Sequence, residues 1–158
     1  MTALSQIRRL FRRENGASIA ELALITPMFF LIMLGGIDFA RAYYLSMEIS
    51  GAAQAAAVYG STHRTDTAGI TAVAKADAPD VPSADLTVTP TWGCECSNAT
   101  VGSTSSSTSC TTTPTCTGNT VVYWEKVTAS GSFSPVFNWP GIPSSMSFSQ
   151  TAVMRAAN

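Results

Sequence analysis

The stretch Gly16-Ala-Ser-Ile-Ala-Glu21, followed by an apolar run from Leu22 to Ile37, decides how this chain is organised. A glycine ends a basic leader, and a single carboxylate stands at the head of a segment that is otherwise apolar. A helix from Ala17 to Ile37 would be roughly 32 Å long, enough to cross a hydrocarbon core of about 30 Å. The sequence therefore predicts a transmembrane helix over about 17–37.

A cluster of basic residues flanks this helix on its N-terminal side. Residues 1–16 carry a net charge of +3 from four arginines and Glu14, whereas the rest of the chain carries −4. Because positive flanks remain in the cytoplasm, residues 1–16 are predicted to be a cytoplasmic leader and the C-terminal part to lie outside the cytoplasm. Charged residues make up 12% of the chain and form no basic face, so we expect no nucleic-acid partner.

A cleaved secretory signal is the alternative interpretation of the same N-terminus, with Ala40-Arg41-Ala42 as its small-residue cleavage site. Asp38 and Arg41 fit poorly into a cleavage region. They lie three residues apart on one helical face, where they can form an ion pair.

The helical pattern continues beyond this point through an alanine-rich stretch without proline. An apolar stripe runs along it, and Gly60 is a natural stop. We therefore predict one long helix over 17–60. Pro27 removes a backbone donor and crowds the Ala23 carbonyl, which predicts a kink or an opened turn near Ala23–Pro27.

Residues 61–158 are predicted to form a small extracytoplasmic α+β lobe. A short helix capped by Asp66 comes first and extends to about Asp77. Alternating patterns then predict three strands of an antiparallel sheet, with a proline that places the first strand at an edge. The strands are Leu86–Trp92, which contains Pro90, then Val121–Thr128 and Met146–Arg155.

Four cysteines frame a loop rich in serine and threonine over residues 94–120: Cys94, Cys96, Cys110 and Cys116. Outside the cytoplasm, such cysteines typically form disulfides, here two that staple the loop. A bond between Cys94 and Cys96 would close over one residue, so both bridges are expected to cross the loop, and two pairings remain open. The rival interpretation is a four-thiolate zinc site, which the short first spacing and an oxidising compartment disfavour.

No catalytic constellation is recognisable in the sequence. His63 is the single histidine, so any base-assisted nucleophile would need it, and it falls in a polar turn after the long helix. We expect a protein that is not an enzyme and that uses no cofactor and no metal.

Two motifs resemble the N-terminus of the TadE-like proteins, which are pseudopilins or minor pilins of bacterial tight-adherence (Tad/Flp) pilus systems. They are Arg13-Glu-Asn-Gly-Ala-Ser-Ile-Ala-Glu-Leu-Ala-Leu-Ile-Thr-Pro27 and Leu34-Gly-Gly-Ile-Asp-Phe-Ala-Arg41. The resemblance covers roughly residues 13–57 and implies a pilin-like fold. Leu22 stands where major Flp pilins carry tyrosine, which favours a minor, assembly-related subunit.

The resemblance also implies processing and partners. A prepilin peptidase would cut between Gly16 and Ala17, and Glu21 and Pro27 would act in assembly. The implied partners are other pilin and pseudopilin subunits, the peptidase, the inner-membrane assembly platform and the lipid bilayer. The implied location is the bacterial inner membrane, crossed once, with the N-terminus cytoplasmic and the lobe periplasmic.

Several alternatives stay open at this level. The sequence leaves open whether the subunit enters a surface pilus, caps it or primes its assembly. Alternatively, the chain is a signal-anchored extracytoplasmic adhesin or binding lobe that is not incorporated in a pilus. Glu21 either pairs with a freed amine at Ala17 of the same or a neighbouring subunit, or only reaches towards the cytoplasmic interface.

Overall fold

The computed structural model describes residues 14–82, 84–98, 110, 115–138 and 140–156. Within them, the elements in chain order are α1 (Glu14–Thr62), α2 (Thr67–Asp77), β1 (Thr87–Cys96), β2 (Val121–Phe133) and β3 (Met146–Ala156). They fall into two compact units, one that ends at Arg41 and one, called the lobe, that begins at Ala42. The α+β class with a long N-terminal helix is confirmed. Residues 1–13 of the predicted leader lie outside the described residues.

Helix α1 ends at Thr62, so the predicted stop at Gly60 was two residues early. Gly60 is buried inside the helix instead. A Cβ atom at this position would lie 2.6 Å from Glu125 Cγ and 3.2 Å from Ile70 Cδ1. The glycine therefore serves the close approach of α1 to its neighbours and does not terminate the helix.

Pro27 lies inside α1, which continues through it as an uninterrupted helix. The opened turn predicted near Ala23–Pro27 is therefore not observed, while a kink stays a prediction. Because proline has no N–H, it offers no helical donor to the Ala23 carbonyl. One residue before the proline, the Thr26 hydroxyl donates a hydrogen bond to the Leu22 carbonyl over 2.6 Å.

The core of the lobe lies between the C-terminal part of α1 and the sheet. One stripe of α1 is completely buried and consists mainly of alanine: Ile49, Ala52, Ala53, Ala56 and Ala57. At one end of this contact, a Cβ atom at Gly131 would lie 3.0 Å from Ile49 Cδ1, and at the other end Gly60 meets Glu125. Helix α1 therefore lies along β2 and runs in the opposite direction.

The sheet is antiparallel with the order β1-β2-β3, so β2 is central. The edge position that Pro90 predicted for the first strand is confirmed. Strand β2 runs to Phe133, five residues past its predicted end. The extension includes Ser130 and Gly131, which have low strand propensity, and their pairing with β3 together with packing against α1 overrides that preference.

The predicted short helix is confirmed as α2, with Asp66 as its N-cap. The Asp66 carboxylate accepts a hydrogen bond from the Gly69 N–H and another from the Tyr59 hydroxyl, both over 2.9 Å. The bond from the Gly69 N–H is the main reason why the pKa of Asp66 lies below its usual range, and the bond from Tyr59 adds to the effect. The cap thereby fixes the turn that connects α1 to α2.

The close contact at Gly60 predicts that Gly60→Ala destabilises the lobe. Glu125 is fully buried, so its side chain has little room to move away from an added methyl group. We expect a loss of about 1–3 kcal/mol from overpacking, partly offset by the better helix propensity of alanine, which is worth up to about 1 kcal/mol. Thermal unfolding followed by tryptophan fluorescence measures this loss of stability, because all three tryptophans belong to the lobe.

Gly36→Ala is the matched control, because a Cβ atom there meets nothing within 4 Å. It should leave the unfolding midpoint of the lobe unchanged. Equal midpoints for both variants would show that the gap at Gly60 is not needed for packing.

Candidate functional site

The apolar part of α1 presents its side chains outward. Only 6% of its apolar stretch is buried within the protein, and Leu24 is 82% exposed. Within the described part of the chain, α1 is the helix that is long and apolar enough to cross a membrane. Contiguous apolar surface of this extent marks contact with lipid or with protein, and its length and composition suit a single membrane crossing.

The residues that the sequence singled out for processing and assembly lie on this one helix. Gly16 and Ala17 belong to the first turn of α1. Glu21 follows four residues after Ala17 and therefore lies on the same helical face, one turn further on. The side chains of Glu21 and Pro27 are both exposed, so both are open to contact with another molecule.

The predicted pair of Asp38 and Arg41 is confirmed. Arg41 donates to the Asp38 carboxylate over 3.4 Å. Asp38 is buried, whereas about half of the Arg41 side chain is exposed. A charge with little access to water is costly unless it is paired, so this cation stabilises the carboxylate at the far end of the apolar stretch.

Tyr44 makes a contact that sequence reasoning missed. Its hydroxyl donates a hydrogen bond over 3.0 Å to Asp80, which follows α2. This bond and the neighbouring Glu48 raise the pKa of Tyr44 to about 12. The partners are 36 residues apart in the chain, so no local pattern could have indicated the bond.

A known protein family matches the N-terminal helix of this chain. Residues 16–58 match the sequence profile of the family described as TadE-like protein. The chain carries a TadE-like N-terminal segment. The match covers about a quarter of the chain, from Gly16 to a point inside the lobe part of α1. No curated protein and no solved structure shows significant similarity to the chain.

The four cysteines of the lobe form two disulfides. Cys94 is bonded to Cys110 and Cys96 to Cys116, with Cα atoms 5.7 and 5.5 Å apart. Both bridges cross the loop, much of which (99–109 and 111–114) lies outside the described residues. No free thiol remains to serve as a zinc ligand.

His63 lies exposed in the turn after α1. Its ring stacks on Tyr59 with the centroids 4.5 Å apart, and its Nδ1 atom lies 2.8 Å from the Thr62 hydroxyl. These contacts are those of a turn residue. In the ranges that the structure describes, no group of three or more His, Cys, Asp or Glu residues is placed to hold a metal ion.

A second feature that sequence reasoning missed is Glu125 on β2. Its side chain is fully buried, and neither carboxylate oxygen has a hydrogen-bond partner. Desolvation raises the pKa of Glu125 to about 7, while the positive charge of Arg64 acts in the opposite direction. The signal was present in the period of two along β2, which places Glu125 on the same face as the buried Val127.

The disulfide pairing predicts which thiol each cysteine substitution releases. Cys94→Ser should leave Cys110 free for alkylation while the second bridge stays intact, and Cys96→Ser should expose Cys116. Loss of one bridge should cost at most about 2–4 kcal/mol, because the remaining bridge still closes an overlapping loop in the unfolded chain. Alkylation followed by peptide mass spectrometry identifies the free thiol, and a label on Cys116 in the Cys94→Ser variant would contradict the pairing.

Proposed function

We propose that this chain is a minor pilin or pseudopilin, a structural subunit that acts in the assembly of a Tad (Flp) type IV pilus. The TadE-like match over residues 16–58 carries the proposal. It falls on a helix whose N-terminal stretch is apolar and exposed and whose C-terminal stretch forms the core of a disulfide-bonded lobe. This division is what a membrane-anchored subunit with an extracytoplasmic domain requires.

In the proposed arrangement, α1 crosses the bacterial inner membrane once. The basic leader keeps residues 1–16 in the cytoplasm, and the lobe lies in the periplasm, where its cysteines can oxidise. A prepilin peptidase cuts after Gly16, which leaves Ala17 as the new N-terminus. The continuity of α1 from Glu14 to Thr62 favours this topology over signal cleavage after Ala42, which would divide the helix.

Glu21 has a proposed role in register. Cleavage creates a positive amine at Ala17, and Glu21 provides a negative charge at nearly the same depth. Each charge alone is costly close to lipid, by about 2.5–3.5 kcal/mol for an acid at the centre of a membrane helix. A pair between neighbouring subunits reduces this cost only where the two helices stand at one axial offset, so the pair selects the packing of subunits on the assembly platform.

Gly16→Val is expected to block processing, because a branched side chain replaces the hydrogen of glycine next to the scissile bond. The full-length precursor should accumulate in the membrane fraction. Immunoblotting for size and N-terminal sequencing of the extracted protein measure this, with Gly36→Val as a control that alters another glycine of the same helix in open space.

The sequencing result separates the alternatives. A wild-type chain that begins at Ala17 supports pilin-type processing. A chain that begins at Tyr43 indicates an ordinary signal peptide, and one that begins at Met1 an uncleaved anchor. Mature protein of normal size from Gly16→Val would remove the proposed processing.

Glu21→Gln is expected to leave processing intact and to reduce pilus assembly sharply. Glutamine keeps the size of the side chain but loses its charge, so the neighbouring amine is left unpaired in a region of low dielectric constant. Surface pili are counted beside an immunoblot for the processed form. Glu14→Gln is the matched control, because that carboxylate lies on the discarded side of the cut.

Normal piliation together with normal processing in Glu21→Gln would mean that Glu21 only reaches to the interface. Loss of both processing and piliation would mean that the peptidase requires the carboxylate, and the proposed role in subunit packing would then lose its support.

A further inference from the structure

The contact between α1 and β2 contains an ionisable group with no polar partner. Glu125 has no accessible surface, and neither of its carboxylate oxygens accepts or donates a hydrogen bond. Its Cγ and Cδ atoms fill the space left by the missing side chain of Gly60. An ionised carboxylate without donors is among the most costly groups to bury, whereas a neutral carboxylic acid is far less costly.

The groups around Glu125 come from every element packed against it, and nearly all of them are neutral. The residues opposite it in the sheet register are Trp92 on β1 and Met154 on β3, and its neighbours on the same face of β2 are Tyr123 and Val127. Gly60 of α1 and Ile70 of α2 close the helical side. Among the described residues, Arg64 is the charged group that acts on Glu125.

Arg64 is held in another contact. Its guanidinium lies over the ring of Tyr123, with Cζ 4.3 Å from the ring centroid, and its Nη1 atom is buried without a hydrogen-bond partner. The cation is therefore close to Glu125 but is not paired with it. A shift of Arg64 from Tyr123 towards Glu125 would give both buried groups a partner.

We propose that Glu125 is a proton-operated latch of the lobe. Protonated, it allows the end of α1 to close on β2 over Gly60. Ionised, it requires water or the Arg64 guanidinium, and the last turns of α1 must loosen from the sheet to admit either. The latch belongs to the lobe itself and does not depend on the proposed role in a pilus.

The sign of the pH effect follows from burial. Because folding raises the pKa of this carboxyl from 4.5 to about 7, the folded lobe binds the proton more tightly than the unfolded chain does. Its contribution to stability is complete below the unfolded value, is lost as the pH rises towards about 7 and stays lost above that pH. The lobe is therefore least tightly closed in neutral and alkaline surroundings.

The test measures thermal unfolding of the full chain in detergent between about pH 5 and about pH 8, by tryptophan fluorescence. For the wild type, the unfolding constant should rise by up to about two orders of magnitude over this range. Glu125→Gln should remove most of this rise. Asp85→Asn, which deletes an exposed carboxylate near β1, should keep it.

Two further variants sharpen the test. His63→Asn is included as the control for the single histidine of the chain, and it should retain the wild-type pH dependence. Arg64→Met removes the described cation that favours the ionised form of Glu125, so the pH dependence of this variant should be steeper than that of the wild type. An unchanged pH dependence in Glu125→Gln, or its loss in His63→Asn, would overturn the proposal.

Direct titration gives a readout that survives if Glu125→Gln fails to fold. In the wild-type chain with ¹³C-labelled glutamate carboxyl groups, one resonance should titrate near neutral pH, and Arg64→Met should shift its midpoint upward. If every glutamate titrates close to its ordinary value, the latch does not exist.

Discussion

The close contact between the small-residue stripe of α1 and strand β2 is the constraint on which the rest of the lobe depends. Alanine and glycine bring the helix backbone near the sheet, so the stripe of Ala52, Ala53, Ala56, Ala57 and Gly60 is shielded from water. A small lobe has few large apolar side chains to bury. Close approach of the helix to the sheet compensates for this, because each buried atom then makes more van der Waals contacts. The same closeness leaves Glu125 without room for water, which makes its protonation a matter of stability.

A single helix serves two different surroundings, and its composition changes accordingly. From Leu22 to Ile37 most of its side chains are bulky and exposed, as expected for a surface that meets lipid or neighbouring helices. Beyond Ala42 the buried positions are mainly alanine, as close packing on a sheet requires. Between these stretches, the pair of Asp38 and Arg41 places charge at the end of the apolar stretch. The TadE-like match over residues 16–58 includes both the apolar exposed stretch and the start of the buried stripe of α1.

The lobe beyond the match is stabilised by covalent and local devices in addition to its core. Two disulfides link the end of β1 to Cys110 and Cys116, which lie further along the chain. The Asp66 cap fixes the turn between the helices, and the bond from Tyr44 to Asp80 ties α1 to the segment after α2. An oxidising compartment is therefore part of the stability of this lobe, in agreement with the proposed periplasmic location.

The sequence by itself determined the features that depend on neighbours along the chain. Apolar length predicted the membrane-competent helix, alternation predicted the three strands, Asp66 marked a cap, and Pro90 marked an edge strand. Only the tertiary structure decided which cysteines pair, where β2 ends and what Gly60 does, because these depend on contacts between different elements of the fold. Glu125 shows most clearly what sequence alone cannot predict. The alternation along β2 predicts that its side chain faces inward, but only the packed interface shows that its carboxylate has no hydrogen-bond partner.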